Sequence, residues 1–291
     1  MKREVILSLI PKPKIEKEIK ISSKIEDDKY YTPKDLAKKL IDKTFEIIGK
    51  NNITDIIEPS AGNGSFSSQM NCTAYDIKPE AEGIIKQDFL KLQLSYKHGR
   101  LIIGNPPFLN SNHGSRKFYK KATKLGDYIA FIQPISQYNN NLQMYQFDLI
   151  YSEDLGIVKY SDRELHCCFN IFKRPKQGIN LKPNFKLKDI IIIEHRRLNK
   201  AYKNRQTKEL PPNWDYALCN FGDGCFGRVP EYIGQYANEL YFYCKKKEFL
   251  PKMLELLEFN TIRSYVKSIS MKRMSMMRFY KYLRDNIEGI K

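Results

Sequence analysis

The sequence predicts an α/β fold built on a mostly parallel sheet, followed by a smaller C-terminal region. Three observations point there: short apolar runs that alternate with amphipathic segments, a glycine turn directly behind the first run, and a composition shift near residue 200. At 291 residues the chain exceeds the usual single domain, so one enlarged catalytic-sized core plus an appendage fits it best.

The first 29 residues are rich in Lys, Glu and Ile and contain Pro11 and Pro13, which reads as a loosely attached arm. Residues 34–49 carry Leu36, Ala37, Leu40, Ile41, Thr44, Phe45 and Ile48 on one helical face, with Thr32 expected as N-cap and Pro33 at the first helical position. Apolar runs then follow at 55–57, 73–75, 101–103, 128–132, 156–160 and 167–172. The last two are close enough to form an antiparallel hairpin. A third apolar run covers 189–194, and a boundary is placed near 198, because 196–208 holds six basic residues and no acid and Pro211-Pro212 follows. The expected organisation is therefore an arm at 1–29, a core domain at 30–198 and a distinct region at 199–291.

Lys and Arg number 50 against 33 Asp and Glu, a formal net charge of +17, which favours a polyanionic partner such as nucleic acid. The six cysteines form no CxxC pair, so a reduced, intracellular protein without a structural metal is expected. No apolar stretch approaches membrane-spanning length, and the basic start lacks a signal-peptide core; membrane association is not expected, and a cytoplasmic location, in a host cell if the protein is viral, is.

The chemistry concentrates in four places. Leu101 to Gly104 reads as a buried strand that runs into Asn105-Pro106-Pro107-Phe108. Strand ends of open α/β sheets are where ligands sit. The Asn105 side-chain oxygen and the Pro106 carbonyl are acceptors that two prolines hold in place, suited to an amine whose lone pair is delocalised into an aromatic ring, and Phe108 can stack on a base. Taken alone, the same four residues also fit an ordinary strand-to-loop turn with Phe108 in the core. Upstream, Glu58-Pro59-Ser60-Ala61-Gly62-Asn63-Gly64 follows a strand and is expected to enter a helix; its glycines allow close backbone approach and Glu58 can hold a cationic group. A phosphate-cradling loop is the competing idea, but it lacks the Gly-Lys-Ser/Thr ending. Asp76, with Ile77 after it, ends the next run where a ribose could be held, and Asp88-Phe89 suits an adenine amino group and ring.

With these motifs in this order, the sequence resembles the amino-group (adenine N6) DNA methyltransferases, whose loop reads Asn/Asp/Ser-Pro-Pro-Tyr/Phe, over roughly residues 30–172. The resemblance implies a Rossmann-like seven-stranded methyltransferase sheet, S-adenosylmethionine as cofactor, and a motif order like the gamma class. It assigns Asn105, Pro106, Pro107 and Phe108 to the catalytic loop, and Tyr31, Thr32 and Pro33 to an N-terminal cofactor contact. Glu58, Pro59, Ala61, Gly62 and Gly64 match the methionine-binding turn, Asp76 and Ile77 the ribose end, and Asp88 and Phe89 the adenine contact. His166 and Phe169 stand where the family walls the base pocket, although His166 and Cys167-Cys168 also fit a structural role.

The implied activity is site-specific methylation of adenine in double-stranded DNA, in a restriction-modification system with a cognate endonuclease or as a viral orphan enzyme. RNA adenine, a protein glutamine amide, or a non-catalytic nucleic-acid-binding subunit are the alternatives. From Lys245 to Lys291 twelve basic and five acidic residues give a local charge of +7, which suits target recognition; the glycine-rich stretch 222–227 is either a base-reading loop or a turn.

Overall fold

The computed structural model describes residues 31–109, 112–160, 164–196, 210, 213–222, 224–266 and 273–291. The expected arm at 1–29, and nearly all of the basic stretch at 196–208, lie outside these.

Helix α1 (Lys34–Ile48) precedes strands β1 (Asp55–Glu58), β2 (Thr73–Asp76), β3 (Ile85–Lys86) and β4 (Arg100–Gly104). Helix α2 (His113–Ala122) leads to β5 (Tyr128–Pro134), and the hairpin β6 (Asp148–Lys159) and β7 (Glu164–Lys173) completes a seven-stranded sheet of order β3-β2-β1-β4-β5-β7-β6. β1, β2, β3, β4 and β5 are parallel, and β7 runs antiparallel to both β5 and β6, which flank it. This is the Rossmann-like seven-stranded sheet expected from the sequence.

Period-two alternation explains its two faces. Leu101, Ile103, Ala130, Ile132, Cys167, Phe169 and Ile171 pack with Ala37, Leu40 and Ile41 of α1. Ile57, Ile102, Ile129, Phe131 and Phe172 pack with Tyr119 and Ala122 of α2. Burial of each such side chain contributes about 1.5–3 kcal/mol, which fixes the register of the central strands.

Several expectations are corrected. The helix foreseen behind Gly64 is a single 3-10 turn at Ser67–Gln69. The connections from β2 to β3 and from β3 to β4 contain no helix. Thr32 does not cap α1; Pro33 occupies that position without a side-chain bond. β6 extends well upstream of the run at 156–160.

The domain division also moves. β8 (Ile190–Arg196) holds the apolar run placed in the first domain, yet it pairs with β10 (Asn238–Cys244), which pairs with β9 (Tyr216–Cys219), in a separate antiparallel sheet. Helices α3 (Leu250–Leu257), α4 (Phe259–Tyr265) and α5 (Met276–Asn286) cover it. Phe185, Ile190, Ile192, Leu218, Phe242 and Phe279 share this second core, so the division falls between Lys173 and Phe185 instead of near 198. Within the glycine-rich stretch, residues 224–227 form a turn: Phe226 is fully buried and its N–H donates to the Gly222 carbonyl at 2.9 Å. No helix among the described residues is long and apolar enough to cross a membrane.

Candidate active site

Because β1 lies between β2 and β4, in parallel register, the C-terminal ends of all three strands open at one edge of the sheet. The turn behind β1 is pinned to β2. The Asp76 carboxylate accepts the Gly62 N–H at 2.8 Å and the Lys78 N–H at 2.7 Å, while the Ala61 N–H donates to the Tyr75 carbonyl at 2.9 Å. Gly62 and Gly64 have φ of 53° and 80°, in the left-handed region that favours glycine. A Cβ on Gly62 would also stand 3.1 Å from the Tyr31 ring, so Tyr31 lies directly on the turn, and its hydroxyl donates to Glu80.

Thr32 has a different role from the expected cap. It is 4% exposed, and its hydroxyl accepts a hydrogen bond from the Asn105 side-chain amide at 3.2 Å. Ser60 donates to the Asn105 backbone carbonyl at 3.3 Å. The donor end of the Asn105 amide is thereby turned toward Thr32, which fixes the direction of its acceptor end. Nothing in the spacing of Thr32 and Asn105 signals this contact; it goes with the packing of α1, which Thr32 precedes, against Leu101 and Ile103 of β4.

Glu58 is 2% exposed, and its Oε2 is enclosed without a hydrogen-bond partner. Burial pushes its carboxyl up to about 7; Ser67 pulls it down and the Asp76 charge adds to the rise. A cationic or hydrogen-bond-donating ligand group at Oε2 would satisfy the orphaned oxygen. Asp88 joins the edge through its neighbour, since the Gln87 N–H donates to the Asp76 carbonyl at 2.8 Å. The Asp88 carboxylate itself accepts the Leu90 N–H at 2.9 Å, and Ile77 is 65% exposed beside Asp76. The glycine turn, the orphaned Glu58 oxygen and two strand-end carboxylates fit a ligand with a cationic end and hydroxyl donors.

The aromatic residues are placed less openly than expected. Phe89 is buried and stacks on Phe118 of α2, with centroids 5.5 Å apart. Phe108 is 7% exposed within the α1-side core, and Phe169 is fully buried in the same core. His166 pairs with Asp154 at 2.7 Å on the hairpin, and burial pushes the Cys167 thiol up to about 11, where it is inert. Pro33 stands at the cap position before α1, and Pro59, Pro106 and Pro107 lie in the segments directly after β1 and β4. A cavity of about 310 Å³ lies at the opposite edge of the sheet, lined by Phe45, Asp55 and Cys72, and shares no residue with this site.

No protein-family model and no curated protein matches the chain. Among solved structures, a candidate RNA methyltransferase from Pyrococcus horikoshii is 15% identical, with 50% of this chain and 86% of that one covered and a TM-score of 0.39. A candidate class I S-adenosylmethionine-dependent methyltransferase from Listeria monocytogenes is 12% identical, covering 56% and 66%, with a TM-score of 0.40. An S-adenosylmethionine-dependent methyltransferase from Clostridium acetobutylicum is 13% identical, covering 72% and 91%, with a TM-score of 0.26.

Proposed function

We propose that the chain is an S-adenosylmethionine-dependent methyltransferase that methylates the exocyclic amino group of adenine in double-stranded DNA. The observation that carries this reading is the Asn105 amide, clamped by Thr32 at the same sheet edge as the Gly62 turn and Asp76. The cofactor supplies an electrophilic methyl group on a sulfonium. Everything else falls to the chain. Glu58 and the Gly62–Gly64 backbone would hold the methionine end, and Asp76 and Asp88 would take hydroxyl and amino donors. Asn105 Oδ1 and the Pro106 carbonyl would accept the two amino hydrogens, drawing the nitrogen lone pair out of conjugation toward the methyl group; as the carbon–nitrogen bond formed the methyl carbon–sulfur bond would break, leaving a neutral thioether, and the surplus amino proton would pass to solvent. Pro106 offers no N–H that would compete for that lone pair.

The polymer is chosen by charge. A protein glutamine amide is conjugated in the same way, but a net charge of +17 selects a polyanion. Tritiated methyl transfer to duplex DNA, to RNA and to protein extract tests the whole reading in one assay. Incorporation into the N6 position of DNA adenine is expected. Transfer to RNA or protein alone would overturn the choice of DNA, and no transfer to any of the three would overturn the activity.

A further inference from the structure

Directly behind the Asn105–Phe108 loop, helix α2 begins with a concentration of polar groups that the fold does not use. Asn112, from which the helix starts, is 5% exposed, its side chain caps nothing, and both Oδ1 and Nδ2 are enclosed without partners. Ser115 in the first turn is fully buried, and its Oγ is also without a partner. The enclosed Nε of Arg116 is a third such group. Burying this many unserved polar atoms within five residues is costly, and native structures keep few of them.

Charge points to what would serve the donors among them, Asn112 Nδ2, Ser115 Oγ and Arg116 Nε. The ten residues of α2 contain Arg116, Lys117, Lys120 and Lys121 and no acid. Arg116 and Lys117 stand near the helix end that already carries the positive pole of the dipole, where cations are disfavoured unless an anion offsets them. Gly114 admits close approach: a Cβ there would lie 2.1 Å from the Pro107 carbonyl oxygen and 3.0 Å from Leu109 Cγ. Leu109 therefore lies over the helix start, half exposed and with a left-handed φ of 51°.

We infer that the start of α2 binds a phosphate group through Asn112, Ser115 and Arg116 once Leu109 has moved aside. Resting on the proposed function, that phosphate belongs to the nucleic-acid backbone next to the target base, and its capture fixes the base relative to Asn105. Helix starts with converging donors are ordinary anion sites, and phosphate contacts set the register of a protein on its polymer.

The test uses the full chain and its thermal midpoint, with inorganic phosphate and a short oligodeoxynucleotide as separate probes. Phosphate at millimolar concentration should raise the midpoint, and Ser115→Ala should weaken that response by roughly tenfold or more, since a hydrogen bond to a charged group is lost. In the absence of phosphate, Ser115→Ala should be at least as stable as the parent, because it removes an unserved buried hydroxyl. Asn112→Asp places a carboxylate where the anion would sit; it should raise the midpoint and abolish the phosphate response. A lower midpoint for Ser115→Ala, or an unchanged phosphate response in both variants, would overturn the site. A response to inorganic phosphate with none to the oligonucleotide would assign it to a free phosphate ligand and overturn the backbone assignment. These readouts do not depend on methyl transfer, so the site and the proposed activity fail separately.

Discussion

Glu58 is held by enclosure, and its titration follows from that. In the unfolded chain its carboxyl has the ordinary value of 4.5, and in the folded chain burial pushes it up to about 7. Between these values the folded state holds a proton that the unfolded state releases, so the Glu58 contribution to stability is fully present below pH 4.5 and is lost as the pH rises through 7. A shift of this size corresponds to about 3 kcal/mol. Glu58→Gln, which stays neutral, should equal the parent near pH 4 and exceed it by ~1–3 kcal/mol near pH 8 in urea unfolding. Parallel stability curves for the two proteins would show that Glu58 does not titrate in this range. Under the proposed function, Thr32 acts through Asn105. Thr32→Val keeps the shape and removes the acceptor, so the amide is free to rotate; kcat should fall about 10–100-fold while cofactor affinity changes by less than about threefold. Asn105→Ala should abolish transfer with cofactor affinity equally preserved. A proportional loss of cofactor binding in Thr32→Val would mean that Thr32 serves the cofactor and not the amide.

Single strands were legible wherever a buried run was uninterrupted, as in Leu101-Ile102-Ile103, because both faces of a central strand are apolar. That the helix expected behind Gly64 does not form was not legible, since propensity yields to local bonds: Ser65 donates to Asn63 at 2.8 Å, and the Gln69 side chain donates to the Ser65 carbonyl at 2.7 Å. The chain also reaches β2 at Thr73 too soon for a full helix. The first half of β6 escaped because it is half exposed and polar, and bulges between Leu149 and Tyr151 and between Asp154 and Gly156 break its alternation. The candidate site was legible as an ordered set of turns, whereas the Thr32–Asn105 bond spans 73 residues and had no local signal. β3 has only two residues, both exposed, and flanking helices are absent. Opening there exposes little apolar surface. Amides of β2 and β3 should therefore exchange with solvent faster than those of β4 and β5, whose residues are almost wholly buried. Equal protection across the sheet by hydrogen exchange would show that something else covers that edge.

Two cores make the molecule two units. Apolar periodicity identified the run that became β8 as a strand but could not say which sheet it joins, because its partner β10 is about 50 residues away along the chain. The second unit is closed on itself: the Lys291 N–H donates to the Asp189 carboxylate at 2.8 Å, and its carbonyl accepts from the Asp189 N–H at 2.9 Å. Bonds from Asn180 to the Gln146 carbonyl at 2.9 Å and to Asp148 at 2.8 Å, together with Leu142 against the second core, join it to the first. Its basic residues are not all available to a polyanion. Lys246 pairs with Asp189, Lys247 with Asp215 and Lys252 with Glu255, and Arg284 stacks over Phe185 at 4.2 Å. What faces solvent includes Phe221, Val229, Tyr232 and Ile233, on a loop organised by the buried Glu239, whose carboxylate accepts the Gly234 and Tyr236 N–H groups at 2.8 and 2.7 Å. Under the proposed function, exposed aromatic and apolar side chains beside Arg228 suit stacking and backbone contact together. Under the proposed function, a chain ending at Asn180 keeps the Gly62 turn, Asp76, Asp88 and Asn105 and should bind S-adenosylmethionine within about threefold of the full protein. Its affinity for duplex DNA at about 150 mM salt should fall by at least about 100-fold, because the phosphate contacts of the second unit are gone. Fluorescence anisotropy with a labelled duplex across a salt series measures both the loss and the change in slope. If the shortened chain binds duplex as tightly and with the same slope, recognition belongs to the first unit and to the start of α2.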